Sequence, residues 1–98
     1  MAKLLLHRKE VVGNFIRETV IWEVRASADF PEGIKYRFVL VCGGKRVLGY
    51  DNKRGEGHHR HFKGRKARVE IFSGRGVLSL LKRFFDESET IVKGEKID

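Results

Sequence analysis

The stretch Ile34-Lys35-Tyr36-Arg37-Phe38-Val39-Leu40-Val41-Cys42, followed by Gly43-Gly44, constrains the fold more than any other part of the chain. Strand side chains point alternately to two faces, so Ile34, Tyr36, Phe38, Leu40 and Cys42 make one unbroken apolar face. Lys35 and Arg37 share the other face with Val39 and Val41. Gly-Gly signals a two-residue hairpin, which pairs Cys42 with Lys45 and predicts Leu40 with Val47, Phe38 with Gly49 and Arg37 with Tyr50. That register lays Phe38 over a residue with no side chain and puts Tyr50 beside Arg37 on a basic, aromatic second face.

An earlier hairpin is expected at Val11-Val12-Gly13-Asn14-Phe15-Ile16, where Gly13 and Asn14 both tolerate positive φ. Pairing Val12 with Phe15 sets Glu10 against Arg17 and Lys9 against Glu18, two opposite-charge pairs that favour this register over a slipped one. The second strand continues to Ala26 with Val20, Trp22 and Val24 on one face, Trp22 read as core. A loop over 27–33 holds the single proline, Pro31. Ala67–Phe72 alternates as a later strand after the basic turn Lys63-Gly64-Arg65-Lys66. Ser73 then caps a helix whose Val77, Leu78, Leu80, Leu81, Phe84 and Phe85 share one apolar stripe.

Such a helix must bury its stripe, and the apolar sheet face is the natural partner. The expected fold class is therefore α+β: a twisted, mainly antiparallel sheet packed on one C-terminal amphipathic helix, its second face open. One domain spans 1–98, with 87–98 as a mobile tail. One cysteine, Cys42, excludes an intramolecular disulfide, and Leu4-Leu5-Leu6 is too short for a signal or membrane segment, so the chain reads as soluble and cytoplasmic. The absence of Gln, only two Asn and a single Met beside 35% charged residues suggest a thermophilic source.

Function is concentrated in Tyr50-Asp51-Asn52-Lys53-Arg54-Gly55-Glu56-Gly57-His58-His59-Arg60-His61, which holds three of the four histidines. With 21 Lys+Arg against 13 Asp+Glu, a net charge of +8 and a pI near 10.0, the chain suits a polyanionic or acidic partner. Imidazoles beside a guanidinium suit proton transfer on a negatively charged substrate, and phosphodiesters are the obvious class.

The segment Tyr50-Asp51-Asn52, a Gly-containing spacer and His58-His59-Arg60-His61 resembles the signature of the TumE family of toxins from type II toxin–antitoxin pairs. The likeness extends to Ile21-Trp22-Glu23-Val24, Lys35-Tyr36-Arg37-Phe38, Arg46-Val47-Leu48-Gly49 and the closing helix, covering most of residues 15 to 86. It departs at Phe62–Arg68, which is more basic than the family pattern leads one to expect. The resemblance implies a toxin neutralised by the protein antitoxin of a neighbouring gene, without specifying the target.

Metal-independent RNA cleavage needs a base for the 2′-hydroxyl, an acid for the leaving 5′-oxygen and positive charge on the phosphorane. On an extended Gly57–Phe62 segment, His59 and His61 point one way and His58 and Arg60 the other, which makes His59 and His61 the acid–base pair. Arg60 supplies charge, and Asp51 orients a histidine or deprotonates an adjacent group. Lys35 and Arg37 clamp phosphate, Tyr50 stacks a base or bonds the phosphate, and Asn52, Lys63 and Arg65 add substrate contacts along the rim.

Several of these residues have plainer readings. Asp51, Asn52 and Gly57 equally suit a turn, and Lys63–Arg68 suits a solvated turn only slightly less well than a phosphate-contacting rim. A metal site built from His59, His61 and Asp51 or Glu56 matches no recognised zinc spacing, so no metal or cofactor is expected. Ser73-Gly74-Arg75-Gly76 lacks the lysine spacing of a P-loop and reads as a cap. The rival reading of the whole chain is a non-catalytic basic module that binds nucleic acid without turnover, for which the histidine cluster is superfluous.

Overall fold

The computed structural model describes residues 2–52, 57–68 and 76–94. Its elements are β1 (Lys3–Val12), β2 (Phe15–Glu23), β3 (Ile34–Cys42), β4 (Lys45–Asp51), β5 (His59–Phe62), β6 (Arg65–Arg68) and α1 (Gly76–Val92). The strands form one six-stranded sheet in sequence order, every neighbouring pair antiparallel. The helix lies on one face, contacting β3 and β4, so the expected α+β arrangement is the one observed.

The β1–β2 hairpin has the expected register, with Val12 opposite Phe15, Glu10 opposite Arg17 and Lys9 opposite Glu18. Only Gly13 of its turn takes a positive φ. At the β3–β4 hairpin Cys42 faces Lys45 as expected, but the next pairs are Val41 with Arg46 and then Leu40 with Leu48, leaving Val47 unopposed. Downstream of this bulge Val39 meets Gly49, Phe38 meets Tyr50 and Arg37 meets Asp51. The pairing of Phe38 with Gly49 and the placing of Tyr50 beside Arg37 are thereby corrected.

Side-chain period explains why the bulge wins. One extra residue turns Leu48 and Tyr50 inward, where both are fully buried, in place of Val47 and Gly49. Burying each large apolar side chain contributes about 1.5–3 kcal/mol. An interrupted ladder forfeits a hydrogen bond worth only about 1 kcal/mol. Phe84 of α1 then packs on Phe38 and edge-on against Tyr50, with ring centroids 5.7 and 6.2 Å apart.

Three further expectations change. Trp22 is not core: Ile21 takes the inward position of β2 at 7% exposure, and Trp22 lies half-buried on the opposite face. Leu78 is 69% exposed, because the buried stripe runs Val77, Leu80, Phe84 and Ser88. The later strand begins at Arg65, after a tight Lys63-Gly64 turn, whereas 69–75, including the rest of the expected strand and Ser73, lie outside the described residues.

The helix also continues through residues expected to form a tail. Arg17, almost fully buried on the inner face of β2, donates from Nη1 to Ser88 Oγ at 2.9 Å and to Glu89 Oε1 at 2.7 Å. Its guanidinium carbon lies 4.7 Å from the centre of the Phe85 ring. These contacts carry α1 to Val92, and Gly94, at φ +78°, donates its N–H to Ile91 O to close the end.

Candidate functional site

Antiparallel register sets the residues of the open face in rows across the strands. One row runs His7, Val20, Arg37, Asp51 and His59; the next runs Lys9, Glu18, Val39, Gly49, His61 and Lys66. Arg46 and Lys35 flank these rows on β4 and β3. The bulge that buries Tyr50 is also what turns Asp51 outward, between Arg37 and His59. Sheet register thus brings together five of the residues singled out from the sequence: His59, His61, Asp51, Arg37 and Lys35.

Gly49 has a specific task in this face. A Cβ there would sit 2.9 Å from Cδ of Arg46, so the absence of one lets the Arg46 stem cross the strand toward His61, which stands opposite Gly49. Burial, and then the positive charge of Arg46, lower the pKa of His61, with Lys66 adding a smaller push; the Asp51 carboxylate opposes them without prevailing. His61 Nε2 is buried without a hydrogen bond, yet it lies 3.2 Å from Asp51 Oδ2, at ion-pair distance but out of hydrogen-bond alignment. Catalytic hydrogen bonds are often misaligned before substrate arrives.

His59 donates from Nδ1 to Gly57 O at 3.2 Å, because a carbonyl can only accept. Its Nε2 has no hydrogen-bond partner among the described residues. Arg37 is half-exposed and donates to Glu18 at 3.3 Å. A hydrogen bond from His7, and next the charge of Arg37, hold the Glu18 carboxyl below its usual range.

Other singled-out residues lie elsewhere. Tyr50 is under the helix, where its hydroxyl donates to Glu87, and burial with that bond pushes its pKa up to about 12. Arg60 is beside it, bonded to Glu87 at 2.5 Å through Nη2 and 3.1 Å through Nε, so its guanidinium faces away from His59 and His61. His58 stacks on Tyr36, its Nδ1 2.9 Å from the Tyr36 hydroxyl and its Nε2 3.3 Å from Glu32.

Asn52 is buried and imitates a strand residue, accepting from Tyr36 N at 2.9 Å and donating to Ile34 O at 2.7 Å. Lys63 sits in the β5–β6 turn over Phe62, and Arg65 stands opposite Phe62 on the helix side of β6. Among the described residues no three His, Cys, Asp or Glu side chains converge to hold a metal ion, and Glu56 lies outside them. No described helix is long and apolar enough to cross a membrane.

Sequence reasoning missed Arg46 and Trp22 as open-face residues. The Arg46-x-x-Gly49 spacing carried a signal, since a glycine within a strand marks close approach of another group. Trp22 lines an open cavity of about 290 Å³ with Lys35, Tyr36, Arg37, Asp51 and Asn52.

Comparison with curated proteins and with solved structures gives no significant match. The family model described as toxin TumE, by contrast, matches residues 3–92, spanning every strand of the sheet and the helix. The chain belongs to the TumE toxin family, and so to the toxin components of toxin–antitoxin systems.

Proposed function

We propose that this toxin cleaves RNA through His59 and His61 and is silenced when its antitoxin covers the open face. The observation that carries this reading is the pairing of two imidazoles, one step apart along β5, with Asp51 between Arg37 and His59 on the basic sheet face opposite the helix. Neighbouring same-face residues of a strand are about 6.6 Å apart, a separation that places one imidazole on each side of a phosphodiester.

The roles follow from the surroundings of each ring. His61, whose pKa is lowered, is unprotonated at neutral pH and takes the 2′-hydroxyl proton. Asp51 near Nε2 favours the tautomer that keeps the lone pair on Nδ1. His59, its Nδ1 tied to Gly57, protonates the leaving 5′-oxygen from Nε2. The 2′-oxygen attacks phosphorus, the bond to the 5′-oxygen breaks, and a cyclic phosphate is left on the upstream fragment. Arg46, Arg37 and Lys35 carry the positive charge that the phosphorane requires.

Expression of the chain alone is expected to arrest growth, with co-expression of the neighbouring antitoxin gene restoring it. Replacing His59 or His61 with Ala should lower RNA cleavage by about a hundred-fold or more while RNA affinity changes little. Purified protein that binds RNA but never cleaves it would replace this reading with that of a non-catalytic nucleic-acid-binding module. Cleavage abolished by EDTA would replace it with a metal mechanism.

A further inference from the structure

The Trp22 cavity shares only Tyr36 with the hydrophobic core, and proton transfer has no use for an indole. Cross-strand pairing nevertheless joins it to the reactive histidines: Trp22 opposes Lys35, Arg37 opposes Asp51, and Asp51 opposes His59. We propose that this cavity is a nucleobase subsite, in which a base from single-stranded RNA stacks on Trp22 and presents its edge to Arg37 and Asp51, with guanine the best match. The inference rests on RNA being the substrate and specifies how it is held.

Size, platform and edge each point the same way. At about 290 Å³ the cavity is at the lower limit for ligand sites and suits one base rather than a larger molecule. Lys35 Nζ lies 5.6 Å from the ring centre of the half-buried Trp22, on the ring that a base would stack on. A base stacking there displaces the amine, which is then free to meet the RNA backbone. Guanine carries two adjacent donors, N1–H and N2–H, that a carboxylate accepts, next to O6 and N7, which a guanidinium grips.

Both edge groups are available for that exchange. Arg37 gives up only a 3.3 Å contact to Glu18 at a half-exposed position. Asp51 retains lone pairs beyond its contact with His61, since each carboxylate oxygen accepts two hydrogen bonds. Asn52 contributes shape alone, its amide being committed to β3.

Trp22 is the single tryptophan, so intrinsic fluorescence reports on this cavity directly. Guanosine 5′-monophosphate should quench it saturably, uridine 5′-monophosphate should bind roughly tenfold more weakly, and ribose 5-phosphate, which has a phosphate and no base, should have no effect. In Trp22→Ala the KM for single-stranded RNA should rise roughly tenfold with kcat nearly unchanged, and Trp22→Phe should recover most of the loss. Equal responses to guanosine monophosphate and ribose 5-phosphate would overturn the subsite, and this wild-type measurement stands even if Trp22→Ala fails to fold. RNA cleavage with KM unchanged in Trp22→Ala would remove the subsite and leave catalysis standing. Base-dependent quenching without any cleavage would do the reverse.

Discussion

At the scale of single residues, His61 and Asn52 show how one motif divides between the open face and the architecture beneath it. Burial and Arg46 disfavour the charged form of His61. Its NMR titration midpoint should therefore fall below the ordinary 6.5, Arg46→Ala should raise it, and Asp51→Asn should lower it further. The stability linkage has a definite sign: with the folded pKa depressed, the unfolded state binds the proton first, so this contribution is complete above pH 6.5 and is lost as pH falls below it. A midpoint above 6.5 would remove His61 as the neutral-pH base. Asn52→Ala should instead act on folding, because it strands the Tyr36 N–H and the Ile34 carbonyl; a loss of about 2–3 kcal/mol is expected, read by urea denaturation. Unchanged stability with weakened RNA binding would return Asn52 to the substrate contacts.

At the scale of elements, pairs of opposite charge and glycine turns made the first hairpin and the extent of β3 legible in the sequence, as did the division of the sheet into a covered and an open face. The bulge at Val47 was not legible, since periodicity gives no sign of where a ladder gains a residue; what decided it was the burial of Leu48 and Tyr50 against a helix distant in sequence. The same long-range contacts hid the length of α1. Asp86-Glu87-Ser88-Glu89 looks like solvent-facing tail until Arg17 and Arg60 are placed beneath it. Alternation fixes which side a strand residue faces, and it set His59 and His61 on one side as expected; Asp51 was singled out by residue type, since the expected register turned Tyr50 to that face, and Tyr50 and Arg60, drawn to chemistry in the same way, proved to be the helix clamp.

That clamp can be tested without touching the open face. Glu87 is the carboxylate partner of Arg60, and the two side chains are only 16% and 15% exposed. Glu87→Ala leaves a largely buried guanidinium without its counter-charge and should destabilise the fold by about 2–4 kcal/mol, against about 1 kcal/mol for Tyr50→Phe. Equal and negligible shifts in the urea midpoint of both variants would show that α1 docks through its apolar stripe alone.

At the scale of the whole molecule, the sheet separates two tasks that use the same kinds of side chain. Arg17 and Arg60 direct their charge inward to Glu89 and Glu87 to hold the helix, whereas Lys35, Arg37 and Arg46 stand on the sheet face opposite the helix, in a chain with net charge +8. A partner that seals this face must meet that charge as well as exclude substrate, so the antitoxin is expected to present acidic residues to it. Complementary charge speeds encounter more than it slows release, and at physiological salt it is felt over only about 8 Å. Raising salt from about 50 to 500 mM should therefore lower the association rate with the antitoxin by roughly tenfold or more and change dissociation much less. Lys35→Glu with Arg37→Glu should slow association in the same way at low salt. Lys82→Glu, on the solvent side of α1 where the side chain is 80% exposed, should leave it unchanged. If reversal at Lys82 slows binding and reversal at Lys35 and Arg37 does not, the antitoxin holds the helix side, and inhibition must reach His59 and His61 through the sheet rather than by covering them.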